Sequence, residues 1–489
     1  DGQCDGRHAS TVGSGARRRA RRAPYGGHMS APSHSSTRPA DHPLRPPADR
    51  PSTAFFTDRY ELTMLQAALA DGTAHRHCVF EVFTRRLPPG RRYGVVAGTG
   101  RLLEALADFR FGDEELSWLS REGVVDKATI DHLARYRFSG SVSGYAEGEV
   151  FFPGSPVLVV EGTFADAVLL ETLVLSVLNY DSAVASAASR MTCAAGDRPC
   201  LEMGSRRAHE QAAVAAARAA VVAGFAGTSN LEAGRRYGLR TIGTAAHSYT
   251  LLHDDERSAF EAQVASLGPG TTLLVDTYDV AEGVRRAIEV AGTGLGAVRI
   301  DSGDLASLAV ETRRQLDSLG ARDTKIVVTS DLDEFAIAAL AAAPVDAYGV
   351  GTSLVTGSGA PTCGMVYKLV AREGASGEME PVAKASTLKT SRGGRKSAAR
   401  RVRSGRAVEE VLVTGPDDDV AAWRPEHEDL RPLMVELVQD GEVLPGWTGP
   451  EGVRRAAERH AASRAELPRG ARRLSADEAA LPTTALELA

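Results

Sequence analysis

Ala297-Val298-Arg299-Ile300-Asp301-Ser302-Gly303-Asp304 reads as a short apolar strand broken by one arginine, closing in aspartate, serine and glycine before a helical stretch begins. The same unit recurs along the middle of the chain. Leu201 to Ser205, Gly224 to Thr228, Thr241 to Thr244, Thr272 to Asp276, Ala297 to Asp301, Lys325 to Ser330 and Ala347 to Thr352 make seven such strands, each followed by helical spacing. Repeated βα units of this kind predict parallel strands laid around a barrel, where the chemistry gathers at the carboxyl ends of the strands. Those ends carry Gly204-Ser205-Arg206-Arg207, Thr228-Ser229-Asn230, Gly243-Thr244-Ala245-Ala246-His247, Asp276-Thr277-Tyr278-Asp279, Arg299 to Asp304, Ser330-Asp331-Leu332-Asp333 and Gly349-Val350-Gly351-Thr352-Ser353. One polar rim follows.

Toward the amino terminus, Tyr60 to Ala70 has apolar residues at helical spacing behind Thr57-Asp58, which predicts a capped helix. Cys78 to Phe83 alternates like a strand, and Gly98 to Ala107 opens a helix after glycines. Gly140 to Val160 predicts small antiparallel strands, and Ala165 to Leu178 a long apolar helix. Beyond residue 375 the periodicity weakens: Lys384 to Arg403 is basic and glycine-rich, Glu409 to Val413 is a short strand, and Gly452 to Leu467 is an amphipathic, arginine-rich helix. The expected organisation is an Arg/Pro-rich head over 1–51, a mixed α+β domain over 52–185, an α/β barrel with the active site over 186–375, and a segment over 376–489 that completes the first domain and ends in a helix.

The 489 residues, 43% hydrophobic and 25% charged, have the ordinary globular mixture and exclude collagen-like or wholly disordered chains. The net charge of −6 has the wrong sign for a protein that wraps nucleic acid. That figure averages two materials. Residues 1–50 hold nine arginines, four aspartates and six of the 23 prolines, with no Phe, Trp or Ile, so the head carries +5 and the rest −11. So little apolar area cannot offset the entropy of ordering, and the head is expected to be disordered, a tail or translated upstream sequence with Met29 as an alternative start. Arg17 to Arg22 lacks the interleaved aromatics of a nucleic-acid patch and is not followed by the apolar block of a secretory signal. The longest Ala/Val run, Ala212 to Ala226, is interrupted by Arg218, so a soluble protein with no membrane span is expected. Five scattered cysteines without CxxC spacing suit a reducing cytoplasm and argue against a thiolate metal site.

The rim combines opposite charges. Arg206, Arg207 and Arg299, with the helix start after Gly351-Thr352-Ser353, form an anion-binding set of guanidinium forks and backbone N–H groups. Against them stand Asp276, Asp279, Asp301, Asp304, Asp331 and Asp333, which imply divalent magnesium between carboxylate and phosphate, or hydrogen bonds to ribose; each could instead cap the helix that follows. A phosphorylated sugar fits both charges. His247 directly follows an apolar strand among small neighbours, and Asp276 and Asp279 on the next strand are available to fix its tautomer, which favours an acid/base or nucleophilic role over a structural one. His209 and His253 lack that setting. No P-loop occurs, and Gly98-Thr99-Gly100 is too weak for a dinucleotide fingerprint. Ser189-Arg190-Met191 and Gly393-Gly394-Arg395-Lys396-Ser397 are further segments that could touch phosphate.

Six segments together resemble the nicotinate phosphoribosyltransferase family: Thr57 to Met64, Glu202 to Ala208, Gly243 to Ser248, Asp276 to Asp279, Val298 to Asp304 and Gly349 to Ser353, in that family's order and over roughly residues 52–475. The resemblance implies a type II phosphoribosyltransferase of α/β class, an irregular, incomplete (β/α) barrel plus a mixed α+β domain formed by N- and C-terminal segments, usually a homodimer with sites at the subunit interface. It implies that nicotinate and phosphoribosyl pyrophosphate give nicotinate mononucleotide and pyrophosphate, with ATP hydrolysis and Mg2+, in NAD salvage. By the same resemblance His247 is the histidine that ATP phosphorylates, Tyr60 stacks on the pyridine ring from the partner subunit, and Thr244 and Arg299 hold nicotinate. Arg206 serves the ring or phosphate pocket, Asp301 the ribose hydroxyls, and Ser330, Gly351 and Thr352 the 5′-phosphate.

The nearest rival is a nicotinamide phosphoribosyltransferase, which places an acidic residue to receive the amide; Gly227-Thr228-Ser229-Asn230 offers none, so the acid is favoured. Quinolinate would demand more basic residues. A non-catalytic NAD-pathway ligand sensor would have lost His247, Arg299 or Asp301, and a Schiff-base aldolase needs a lysine at a strand end, whereas Lys325 begins its strand.

Overall fold

The computed structural model describes residues 51–384, 392–425 and 427–488; the head, and most of the basic segment between Lys384 and Lys396, lie outside the described residues. Residues Arg50–Ala489 form one compact unit.

The middle of the chain folds as the βα pattern requires. Six parallel strands lie in the order Gly227–Thr228, Cys200–Glu202, Ala347–Val350, Lys325–Val328, Ala297–Ile300 and Thr272–Leu274. Chain neighbours are sheet neighbours throughout, except that no ladder joins Gly227–Thr228 to Thr272–Leu274, so the barrel is open there. The expected strand Thr241 to Thr244 does not form. It contributes a single parallel bridge, Thr228 to Thr241, and then runs as extended chain along the opening. Val298, Ile300, Ile326, Val328, Tyr348 and Val350 are all fully buried in the barrel's core, as expected for strands covered by helices.

A second sheet of seven strands is built around His77–Thr84, Leu158–Thr163 and Ser141–Tyr145, paired antiparallel. Later chain completes it: Met365–Glu373 pairs with His77–Thr84, and Met434–Gln439 with Ser141–Tyr145. The strand Met365–Glu373 therefore sits in this sheet and not in the barrel segment that the boundary at 375 gave it. The carboxyl-terminal region also builds a four-stranded sheet of its own, Leu430–Pro432, Ser397–Arg403, Arg406–Thr414 and Thr483–Glu487.

The helix Glu171–Ala195 joins the two cores. Its first half (Leu173, Val174, Val177, Leu178) packs with the antiparallel sheet and its second half (Val184, Ala187, Ala188, Met191) with the barrel. With the turns before it, Phe164–Ala195 is the one helical stretch among the described residues long and apolar enough to cross a membrane, and most of it is buried inside the chain. Its buried serines serve a neighbouring strand: Ser186 Oγ accepts from Val95 N at 2.9 Å and Ser182 Oγ from Ala97 N at 3.1 Å.

The amino-terminal helix spans Arg59–Asp71, but Asp58 makes no side-chain cap; the Thr57 hydroxyl bonds instead to the buried carboxylate of Glu61.

Candidate functional site

The opening in the barrel is where the rim residues meet. Arg299 alternates with Val298 and Ile300, so while those two enter the core its guanidinium reaches across the gap, where Nη1 donates to Thr244 Oγ1 at 2.8 Å and to the Ala245 carbonyl at 3.2 Å. The extended segment 241–246 is thus pinned on one side by backbone bonds to Thr228 and on the other by Arg299. Its small residues bring the chain to His247, the first residue of a short helix, His247–Leu251.

The His247 side chain is 39% exposed and held from two sides. Nδ1 lies 3.1 Å from Thr277 Oγ1, and Nε2 lies 3.9 Å from both Asp276 Oδ1 and Asp301 Oδ2. The expectation that an acid fixes the tautomer is corrected: a threonine hydroxyl holds Nδ1, and the two acids face the other nitrogen. The Asp276 side chain is only 2% exposed. Its Oδ2 accepts from Asp301 N at 2.9 Å and Ser302 Oγ at 2.7 Å, whereas its buried Oδ1 has no hydrogen-bond partner. Asp301 is held in turn by the Thr329 hydroxyl, and its Oδ2 lies 3.8 Å from Arg299 Nη2. Burial pushes Arg299 below the ordinary guanidinium range; Asp301 and Asp276 oppose that shift and the nearby charge of Arg206 adds to it.

Two further loops flank this cluster. Ser330 follows Lys325–Val328 with φ 134°, a backbone that a serine adopts only when its surroundings impose it. Gly351 precedes the turn Thr352–Val355 and lies against the Arg206 loop; a Cβ on Gly204 would come within 3.0 Å of the Gly351 carbonyl, so only glycine permits the approach.

Several expected residues lie elsewhere. Asp279, Asp304 and Asp333 are helix caps, accepting from Glu282 N at 2.8 Å, Ser307 N at 3.3 Å and Ala336 N at 2.8 Å. Asp279 therefore parts from Asp276. Tyr60 is 45% exposed on its helix beside Glu171, and none of the hydrogen bonds or ion pairs among the described residues joins it to His247. Arg190, Arg395 and Lys396 do not face the rim: they pair with Glu334, Glu161 and Glu81. His253 bonds to the Tyr249 carbonyl at 2.9 Å, and His209 caps a helix. Thr277 and Thr329 hold the cluster yet carry no signal in the sequence beyond standing at strand ends. A cavity of about 490 Å³ lies away from the His247 cluster, between the antiparallel sheet and the carboxyl-terminal region, lined by Ser143, Glu161, Lys396 and Trp423.

An open parallel barrel whose rim sets arginines and carboxylates around a histidine defines the class: an α/β-barrel enzyme with its polar groups gathered at the strand ends. A family model described as the nicotinate phosphoribosyltransferase (NAPRTase) N-terminal domain matches residues 55–179. Nicotinate phosphoribosyltransferase pncB1 of Mycobacterium tuberculosis is 55% identical over 447 residues, 89% of this chain and 96% of that protein. Nicotinate phosphoribosyltransferase of Bacillus subtilis is 39% identical over 331 residues, 66% of this chain and 67% of its own. The crystal structure of human nicotinic acid phosphoribosyltransferase superposes with a TM-score of 0.74 at 26% identity, covering 88% of this chain and 97% of that one. The chain belongs to the nicotinate phosphoribosyltransferase family.

Proposed function

We propose that the protein joins nicotinate to phosphoribosyl pyrophosphate, giving nicotinate mononucleotide and pyrophosphate for NAD salvage, with ATP hydrolysed alongside. The observation that carries this reading is the Arg299–Thr244 pair spanning the barrel opening at 2.8 Å, next to a histidine flanked by two carboxylates. A guanidinium and a hydroxyl side by side suit a carboxylate on a flat ring, and favour nicotinate over its neutral amide. Glu202, the acid that bonds to the strand end Gly227–Thr228, is fully buried with both oxygens engaged, by the Thr228 hydroxyl and Gly204 N.

The ring nitrogen of nicotinate attacks the anomeric carbon as the carbon–oxygen bond to pyrophosphate breaks, and the electron pair leaves with pyrophosphate. Positive character grows on the sugar, which Asp301, held by Thr329, stabilises through charge and ribose hydroxyls. Ser330, Gly351 and Thr352 receive the 5′-phosphate, and Arg206 the departing anion or the ring. No protein nucleophile toward the sugar is needed, which frees His247 for ATP. Thr277 occupies Nδ1 and leaves Nε2 as the phosphoryl acceptor.

No group of three or more His, Cys, Asp or Glu among the described residues could hold a metal by itself. The orphaned Asp276 Oδ1 and the partly exposed Asp301 fit Mg2+ held through one or two carboxylates and substrate phosphates. When bound there, Mg2+ neutralises pyrophosphate charge.

Tyr60 completes the ring site of a second subunit in a homodimer, which accounts for its exposure on a stretch of chain where Phe55, Phe56 and Met64 are exposed as well. The free thiols Cys78, Cys193, Cys200 and Cys363 fit a reducing cytoplasm.

The test is nicotinate mononucleotide formation with and without ATP, with nicotinamide as competitor, and transfer of label from γ-labelled ATP. Product from nicotinate, stimulated by ATP, and labelling lost in His247→Ala are expected. No product from nicotinate defeats the reading, and equal labelling of His247→Ala removes the phosphohistidine.

A further inference from the structure

Four non-glycine residues among those described have positive φ, and two of them, Ser330 (134°) and Ser358 (50°), follow the adjacent parallel strands Lys325–Val328 and Ala347–Val350. Ser358 stands between Gly357 (φ 61°) and Gly359 (φ 81°), in a turn where glycine would be the easier residue at all three places. What serine adds there is a hydroxyl, and that hydroxyl donates to Glu334 Oε2 at 2.6 Å.

Glu334 begins the helix Glu334–Ala339, which leads out of the Ser330 loop, and it is 1% exposed. Its other oxygen, Oε1, accepts from Arg91 Nη1 at 3.0 Å and from Arg190 Nε at 2.9 Å. Arg91 also donates Nη2 to the Gly357 carbonyl at 2.7 Å, and Arg190 donates Nη1 to the Gly90 carbonyl. Neither arginine belongs to the barrel loops. Arg91 lies in the connection from His77–Thr84 to Gly94–Val95, and Arg190 on the central helix Glu171–Ala195. One buried carboxylate therefore ties the loop after each of two barrel strands to the other and to the rigid helix behind them. Removing Glu334 would leave two buried guanidinium groups without their shared carboxylate, so the two loops are locked as a unit.

We propose that Glu334, with Arg91, Arg190 and Ser358, is a positioning cluster for phosphoribosyl pyrophosphate, fixing the Ser330 loop against the Gly351–Thr352 turn so that the phosphate meets a preformed cradle. This rests on the reading that Ser330, Gly351 and Thr352 receive the 5′-phosphate. None of the four touches substrate. Their contribution is to orient groups that do, where misplacement by about 1 Å costs on the order of 100-fold.

The experiment is steady-state kinetics and thermal melting of the full chain for Ser358→Gly, Glu334→Gln and Thr352→Val. Ser358→Gly suits the backbone and removes only the hydroxyl. Relief of the positive φ only partly offsets the lost partner of Glu334 Oε2, so the variant is expected to melt slightly below the wild type while the KM for phosphoribosyl pyrophosphate rises roughly fivefold and that for nicotinate stays within about twofold. Glu334→Gln is expected to raise the same KM by about tenfold or more and to melt lower; should it fail to fold, Ser358→Gly decides alone. If Ser358→Gly leaves the KM for phosphoribosyl pyrophosphate unchanged while Thr352→Val raises it, the positioning role is overturned and the phosphate reading stands. If Thr352→Val leaves it unchanged, the phosphate reading falls and the positioning role with it.

Discussion

His247 takes its orientation from a neutral hydroxyl, and the two carboxylates near it face the opposite ring nitrogen. Thr277→Val keeps the shape and removes that hydroxyl, so the ring loses the partner that fixes its tautomer. Losing such an outer partner typically costs about 10–100-fold. The loss is expected in the ATP-stimulated part of the rate, with the ATP-independent rate nearly unchanged and stability within about 1 kcal/mol. Rates with and without ATP, alongside a melting curve, check this; an equal fall in both rates would contradict it. The same residues show what a sequence can and cannot tell. Asp276 and Asp301 come within two residues of their strand ends, at Leu274 and Ile300, and reach the site. Asp279, Asp304 and Asp333 stand directly before Val280, Leu305 and Glu334, the first residues of helices, and cap them. Position relative to the next helix separates the two groups, and that boundary is only approximate before the structure is known. Thr277 and Thr329 were invisible because nothing in a threonine's identity says which neighbour its hydroxyl will meet.

Among the elements, the parallel strands were legible because each is an apolar run closed by polar residues, and a barrel needs no more than that repeated. Thr241 to Thr244 was misread for the same reason: the run is there, but only Thr241 finds a strand partner, and the remainder serves the opening instead. Of the hairpin Ser397–Arg403 and Arg406–Thr414, the second strand was legible at Glu409 to Val413 and the first was hidden by its charge, since Arg400 is fully buried between Glu149 and Glu410, at 2.8 and 2.7 Å, and apolar alternation does not reveal a buried arginine. Helix-to-strand packing beneath the site makes a further prediction. Gly283 lies in the helix Val280–Ala291, where a Cβ would stand 2.3 Å from the Val275 carbonyl, immediately before Asp276. Alanine there gains about 1 kcal/mol in helix propensity. The clash is with backbone, which cannot rotate away, and overpacking of this kind costs about 1–3 kcal/mol. Gly283→Ala is therefore expected to lower stability in denaturant unfolding and to reduce activity by moving Asp276, whereas a stabilised, fully active variant would show that the helix can shift freely.

Across the whole molecule, the later chain is fastened to the earlier by buried polar groups whose protonation sets how the protein meets acid. The helix Gly449–Glu466 lies on the turn around Gly148, where Glu149 is held by Arg400 and Arg431 and His460 is fully buried with neither ring nitrogen hydrogen-bonded. Burial, aided by Arg464, pushes His460 down to about 3, against the weaker pull of the Gly148 backbone and Glu149 in the other direction. Glu149 lies at about 2, its buried position outweighed by the two arginines and Ser463. In both cases the unfolded chain binds the proton first as pH falls, so stability is present above the unfolded pKa and is lost on the way down. For His460 the loss begins near its ordinary value of 6.5 and runs to about 3; for Glu149 it begins near 4.5 and runs to about 2. Between pH 6.5 and 4.5, therefore, His460 acts without Glu149, its slope rising from half toward the full value of about 1.4 kcal/mol per pH unit, or about 2 kcal/mol over the interval. His460→Leu removes the group and an unpartnered polar ring, so it is expected to cost little at pH 7 and to flatten the decline by that amount. Urea unfolding of the two proteins at pH 7, 5.5 and 4.5 measures the difference directly. Curves that fall in parallel would mean that some other buried group carries the acid sensitivity.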